Sequence, residues 1–317
     1  MGLSGSSLLL SYCLLILLAS LAGGWLPILV NLTHTRLQVA TSFVAGMMLG
    51  VALLHLLPHA WADFQSIDQT ARWLLAGFLV MFFIQRFFHF HHHDVPDEAA
   101  ERHETDQTAG AHESEACEHV HDHTLAHKSA RQLSWGGAAL GLGLHSLIDG
   151  VAIAASVAAE SQGVAQASWA GLGTFAVIIL HKPFDAMAIG TLMAAGGRSK
   201  LARHWVNVLF ALAIPVGILL FQMGARQFAI PGHHYLGTAL AFTAGTFLCI
   251  AASDLLPELQ FHSHDRVKLS IALIGGLVFS ALIGALEPDH HAHEHDGGAL
   301  IERENRAHPY ALLFKFQ

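Results

Sequence analysis

Two stretches decide how this chain is read: His145-Ser146-Leu147-Ile148-Asp149-Gly150-Val151-Ala152-Ile153 and His181-Lys182-Pro183-Phe184-Asp185-Ala186-Met187-Ala188-Ile189. Each sets a histidine and an aspartate four residues apart, so in a helix both side chains lie on one stripe, about one turn apart. Each also lies inside an apolar run. An ionised Asp at the centre of a membrane helix costs about 2.5–3.5 kcal/mol on the insertion scale. Two of them with Lys182 need compensation, and imidazole with carboxylate is a ligand set for a divalent metal ion. Facing helices would offer two nitrogens and two carboxylates to one ion. That set suits Zn²⁺ and tolerates Fe²⁺, Mn²⁺, Co²⁺ or Cd²⁺. The competing structural reading is hydrogen bonding between helices, with Lys182 paired to Asp185 one turn away.

Working outward, the whole chain has the composition of a polytopic membrane protein. Its 317 residues are 53% hydrophobic and 13% charged, where a soluble domain has about 25% charged residues. Apolar windows long enough to span a bilayer fall at roughly 7–30, 37–60, 72–90, 133–159, 165–194, 204–223, 234–258 and 267–287. The first has no basic segment before it and exceeds a signal-peptide core, so it reads as a span. Cys13, Cys117 and Cys249 are scattered, which argues against a disulfide framework or a zinc finger. No stretch resembles a nucleic-acid-binding surface.

The fold class predicted is an all-α membrane protein of eight helices. Residues 1–90 hold spans one to three and 133–287 hold spans four to eight. Between them, 91–132 is rich in His, Glu, Asp and Ala without an apolar period, and is expected to be a disordered loop. Residues 288–317 form a polar tail opening with His290, His291, His293 and His295. Arg36, Arg86, Arg102, Lys128, Arg131, Arg198, Lys200, Arg203, Arg266 and Lys268 fall on one side of the membrane. Arg72, Arg226, Arg303, Arg306 and Lys315 fall on the other. The positive-inside rule then puts the His-rich loop in the cytoplasm and both termini outside; the expected location is the cell (inner) membrane.

Internal similarity points to a transporter. Span two contains Ala45-Gly46-Met47-Met48 and then His55-Leu56-Leu57-Pro58-His59. Span seven contains Ala244-Gly245 and then Asp254-Leu255-Leu256-Pro257-Glu258. His55 and His59 correspond to Asp254 and Glu258, a candidate vestibule. Spans two and seven cross in opposite directions, so spans 1–3 and 6–8 would be inverted repeats around the central pair 4–5, an arrangement recurrent in secondary transporters. Pro183 opens its helix by leaving the carbonyl of Ile179 without a donor, and Gly150 permits close helix approach; both suit a path for an ion.

His145-Ser146-x-x-Asp149-Gly150 resembles the His-Ser/Asn-x-x-Glu/Asp-Gly signature of the ZIP family of divalent-metal transporters. The fifth span is similar to that family's second signature at His181, Pro183 and Asp185. The resemblance implies an eight-helix fold with inverted repeats, metal held between spans four and five, an elevator-like alternating-access motion and a homodimer. It implies a primary site of His145, Asp149, His181 and Asp185, with the thioether of Met48 near it. Ser146 and Asn207 fall where relatives bind a second metal. Lys182 departs from the pattern, since many relatives carry a carboxylate there, although some branches carry His-Lys. An ammonium at that point predicts a single-metal site in which Lys182 neutralises Asp185 or Asp149.

The predicted function is therefore transport of a divalent transition metal, zinc foremost, into the cytoplasm. Its partners are the metal ion and the lipid bilayer, and the metal is a substrate, with no cofactor. A zinc-dependent intramembrane hydrolase would need an open coordination position and a nearby general base; His-Glu-x-x-His is absent from the sequence. A membrane metal sensor would rest on the His-rich segments instead.

Overall fold

Each apolar window becomes a helix. The computed structural model describes residues 5–24, 34–88, 123–161, 169–227, 234–261 and 266–286. The elements are α1 (Gly5–Gly23), α2 (His34–Val51), a π-helical turn (Ala52–Leu56) continuing into α3 (Leu57–Phe64), α4 (Ile67–Phe88), α5 (His123–Glu160), α6 (Leu172–Ala195), α7 (Lys200–Gln227), α8 (Tyr235–Phe261) and α9 (Arg266–Leu286). No strand occurs among the described residues. With α2 and α3 taken as one span, eight helices among the described residues are long and apolar enough to cross a membrane. Residues Met1–Gly284 form one unit and Ala285–Gln317 a second; the packing below is that of the first.

Burial sorts the spans into a centre and a rim. In spans four and seven 67% of the apolar window is buried, against 17% in span three. The rim helices are apolar on their outward faces too, as with Leu10, Leu14 and Leu18 of α1 and Leu209 and Leu219 of α7. An all-round apolar helix is stable only where its outer face also meets hydrocarbon.

Glycine lets the backbones of central and rim helices touch. A Cβ at Gly150 of α5 would collide with the carbonyl oxygen of Ile214 on α7, and one at Gly217 of α7 with that of Leu147 on α5. The close crossing is thus reciprocal, and it occurs beside Asp149. The same reciprocal contact joins α2 to α9 through Gly46 and Gly276, and α4 to α8 through Gly77 and Gly245. Small residues drive helix association in a membrane because the gain there is close packing.

The π-helical turn has a local cause. Pro58 has no N–H to offer the carbonyl of Leu54. The N–H of Leu57 instead donates to the carbonyl of Ala52, one residue farther back than in an α-helix. This widened turn carries His55 into the interior.

Helix α5 begins ten residues before the apolar window. Residues 123–132, expected to belong to the disordered loop, are helical. Their Ala, Leu, Lys, Arg and Gln content favours helix without supplying hydrophobicity, which is why an apolar window misses them. The rest of that loop, from 91 to 122, and the tail with His290 to His295 lie outside the described residues.

Candidate metal centre

The two His-Asp stripes lie on α5 and α6, which pack together. One ligand atom each from His145, Asp149, His181 and Asp185 falls in a group whose members are all within 4.8 Å of one another. The Oδ2 of Asp149 is 3.3 Å from Nε2 of His181 and 3.5 Å from Nε2 of His145. The Oδ2 of Asp185 is 3.8 Å from Nε2 of His145 and 3.9 Å from Nε2 of His181. The imidazole rings are 5.3 Å apart. His145, Asp149 and His181 are buried, and Asp185 is the most open of the four.

Backbone contacts orient one ligand. His181 Nδ1 lies 2.8 Å from the carbonyl oxygen of Val177, one turn earlier on α6. An N–H there donates to that oxygen, so Nε2 points its lone pair at the carboxylates, a position satisfied by a cation or by a second proton. Asp149 Oδ1 and His145 Nδ1 are buried without a hydrogen-bond partner among the described residues. Asp149 thus keeps a spare oxygen, and buried polar atoms of this kind call for an explanation such as an ion.

Lys182 enters the cluster from the same helix. Its Nζ donates to Oδ2 of Asp149 at 2.5 Å and lies 3.4 Å from Oδ2 of Asp185. It therefore bridges both carboxylates, where the sequence offered one or the other. It is fully buried, and the ring of Phe210 on α7 lies under it, 5.1 Å from centroid to Nζ. Two carboxylates and one ammonium leave one formal negative charge facing two imidazoles. A divalent cation would meet matched ligands and a resident competing cation.

The ZIP zinc transporter family model matches residues 6–284. The chain belongs to the ZIP family. It is a metal-ion transporter and not an enzyme, with the metal as cargo. It is 27% identical over 320 residues to zinc transporter ZIP9 of Xenopus tropicalis, covering 86% of this chain and 94% of that protein. It is 30% identical over 301 residues to zinc transporter ZIP13 of Mus musculus, covering 84% and 72%. It is also 31% identical over 148 residues to zinc transporter SLC39A7 of Canis lupus familiaris, covering 45% and 30%.

The remaining candidate residues of this ZIP chain make contacts of their own. Ser146 is buried and its hydroxyl donates to the carbonyl of Leu142, 2.7 Å away on its own helix. Asn207 of α7 donates through Nδ2 to the carbonyl of Leu21, 3.3 Å away, and its buried Oδ1 has no partner among the described residues. Met48 is buried in the main apolar core. His55 is buried, with Nε2 3.0 Å from the carbonyl oxygen of Ser280 on α9. His59 is half-buried on α3. Asp254 and Glu258 belong to α8, but their side chains lie outside the described residues.

Two features have no counterpart in the spacing of the sequence. Phe210 reaches Lys182 from a separate helix. Glu160, at the end of α5, accepts the N–H of Gly171 at 2.6 Å and the hydroxyl of Ser156 at 3.0 Å, and Thr174 donates to Ser156 at 3.0 Å. This chain of bonds ties the end of α5 to the start of α6, so it holds the two ligand-bearing helices in register.

Proposed function

We propose that this ZIP protein carries a divalent transition metal, zinc foremost, across the membrane into the cytoplasm. It does so by exposing His145, Asp149, His181 and Asp185 to each side in turn. One observation carries the reading: four metal-ligating side chains from two packed membrane helices converge within 4.8 Å, in the buried interior. Zinc is bound at about 2.0–2.2 Å by His and carboxylate ligands, so small rotamer adjustments bring this set into range. The zinc transporters among its relatives favour zinc over the other metals that the ligand set tolerates.

The site takes one metal. Lys182 Nζ occupies the space between the carboxylates and excludes a second dication by charge. The inverted-repeat reading draws support from the glycine contacts. Gly46 and Gly245 occupy matching places in the two repeated segments. Gly46 meets Leu273 on span eight, and Gly245 meets Leu74 on span three. The excess of Lys and Arg in alternate connections supports a cytoplasmic His-rich loop and outward termini.

The test is metal flux into proteoliposomes. Zinc uptake should be saturable with the unmodified chain and fall to the protein-free rate with His181→Ala and with Asp185→Asn. Saturable uptake that survives both substitutions overturns the proposed site. Folded protein that binds zinc yet moves no divalent metal overturns transport through it.

A further inference from the structure

An open groove of about 500 Å³ lies between α2, α6 and α9. Val39 and Phe43 line it from α2, Leu180 and Phe184 from α6, and Ile271 and Ala272 from α9. Its one charged lining side chain among the described residues is Arg36, exposed at the start of α2. Gly46 packs on Leu273 and Gly50 on Ser280, so α2 and α9 run in the same direction. The first turn of α9 thus brings Arg266 and Lys268 to the end of the bundle where Arg36 sits.

We propose that this groove seats an anionic phospholipid, with its phosphate on Arg36 and an acyl chain along the apolar wall. Charge and depth both point to that occupant. A lone apolar groove in a membrane helix bundle would take any lipid tail, whereas a guanidinium at its mouth selects a phosphate. Arg266 and Lys268 add attraction for a net negative headgroup, and anionic lipids concentrate in the cytoplasmic leaflet, the side that the Lys and Arg distribution assigns to this end. From Arg36 to Val44 the helix rises about 12 Å, close to the roughly 15 Å of one leaflet's hydrocarbon. Leu180 and Phe184 each precede a metal-site residue by one position, His181 and Asp185 respectively, so a seated acyl chain would touch the ligand-bearing helix about 100° around from those residues. The inference rests on membrane insertion and stands independently of which metal is carried.

The experiment compares thermal unfolding and lipid-bound mass of the detergent-purified full chain with phosphatidylglycerol, phosphatidylcholine or inorganic phosphate added. Phosphatidylglycerol should bind as a discrete adduct and raise the unfolding midpoint above that seen with phosphatidylcholine. Arg36→Ala should weaken that binding about five-fold, the worth of one basic residue at a charged interface. Arg36→Lys should retain most of it, and Ala272→Phe, which fills the groove, should abolish it. Equal binding to the parent and Arg36→Ala proteins overturns the proposal, as does an adduct that persists in Ala272→Phe. A matching shift with inorganic phosphate assigns the site to a free anion and overturns it. A midpoint that follows protein concentration and ignores the headgroup assigns the groove to a second copy of the chain.

Discussion

Replacing Lys182 with methionine keeps the unbranched stem up to Cε and removes the charged Nζ, which should move stability and zinc affinity in opposite directions. In the metal-free protein the ammonium lies 2.5 Å from Asp149 and 3.4 Å from Asp185, with all of its surface buried. Breaking a buried ion pair by removing one partner costs about 3–5 kcal/mol. An added share comes from the contact with Phe210, about 0.5–2 kcal/mol for a cation over an aromatic face. Metal-free Lys182→Met protein should therefore unfold at a clearly lower temperature. Zinc binding responds the other way. At an effective dielectric constant of about 20, a dication 4 Å from an ammonium is repelled by about 8 kcal/mol. The flexible lysine stem can swing aside and relieve most of this. A remainder of only about 1.4 kcal/mol still makes zinc bind about tenfold more tightly to the variant. The assay is thermal unfolding in detergent with and without zinc, together with calorimetric titration of the metal. At a fixed excess of free zinc, tenfold tighter binding adds about 1.4 kcal/mol of stabilisation, so the zinc-induced rise must be larger in the variant. A variant of parental stability without metal, and of parental zinc affinity, would refute the assignment of Lys182 as the resident counter-ion.

Two further substitutions probe what holds the site. Gly217→Ala drives a methyl group into the carbonyl of Leu147 and forces α7 away from α5 beside Asp149; overpacking of this kind costs about 1–3 kcal/mol. The unfolding midpoint should fall and zinc affinity with it, and an alanine variant matching the parent in both would contradict the close crossing. Glu160→Ala strips the N–H of Gly171 and the hydroxyl of Ser156 of their acceptor, a loss of about 1.5–3 kcal/mol for bonds to a charged group. Glu160→Gln keeps one amide oxygen as acceptor and should restore part of the lost midpoint; equal midpoints for parent and alanine variant would remove Glu160 from the account of how α5 and α6 are held.

The four clustered side chains were legible because each pair sits four residues apart in a run that is otherwise hydrocarbon. Helical periodicity alone aligns such a pair, and membrane desolvation makes its presence informative. The span count was legible for the same reason, since length and apolarity suffice to bound a helix. The start of α5 at His123 was hidden, because residues 123–132 have helix propensity without apolarity. The π-helical turn at Ala52–Leu56 follows from Pro58, but a proline in a helix can kink it, widen it or end it, and the neighbours of His55 decide among these.

By itself, then, the sequence determined the all-α membrane class, the number of spans and the two His-Asp stripes, all of which depend on interactions within a single helix. Tertiary structure decided what meets what across helices. It brought Lys182 to Asp149, 33 positions away, as well as to Asp185. It set Phe210 beneath the ammonium and joined His55 to Ser280 across 225 positions. Such contacts depend on how far neighbouring backbones approach and at what rotation. In this bundle those distances are set by reciprocal glycines such as Gly150 and Gly217, whose partners only the folded chain reveals.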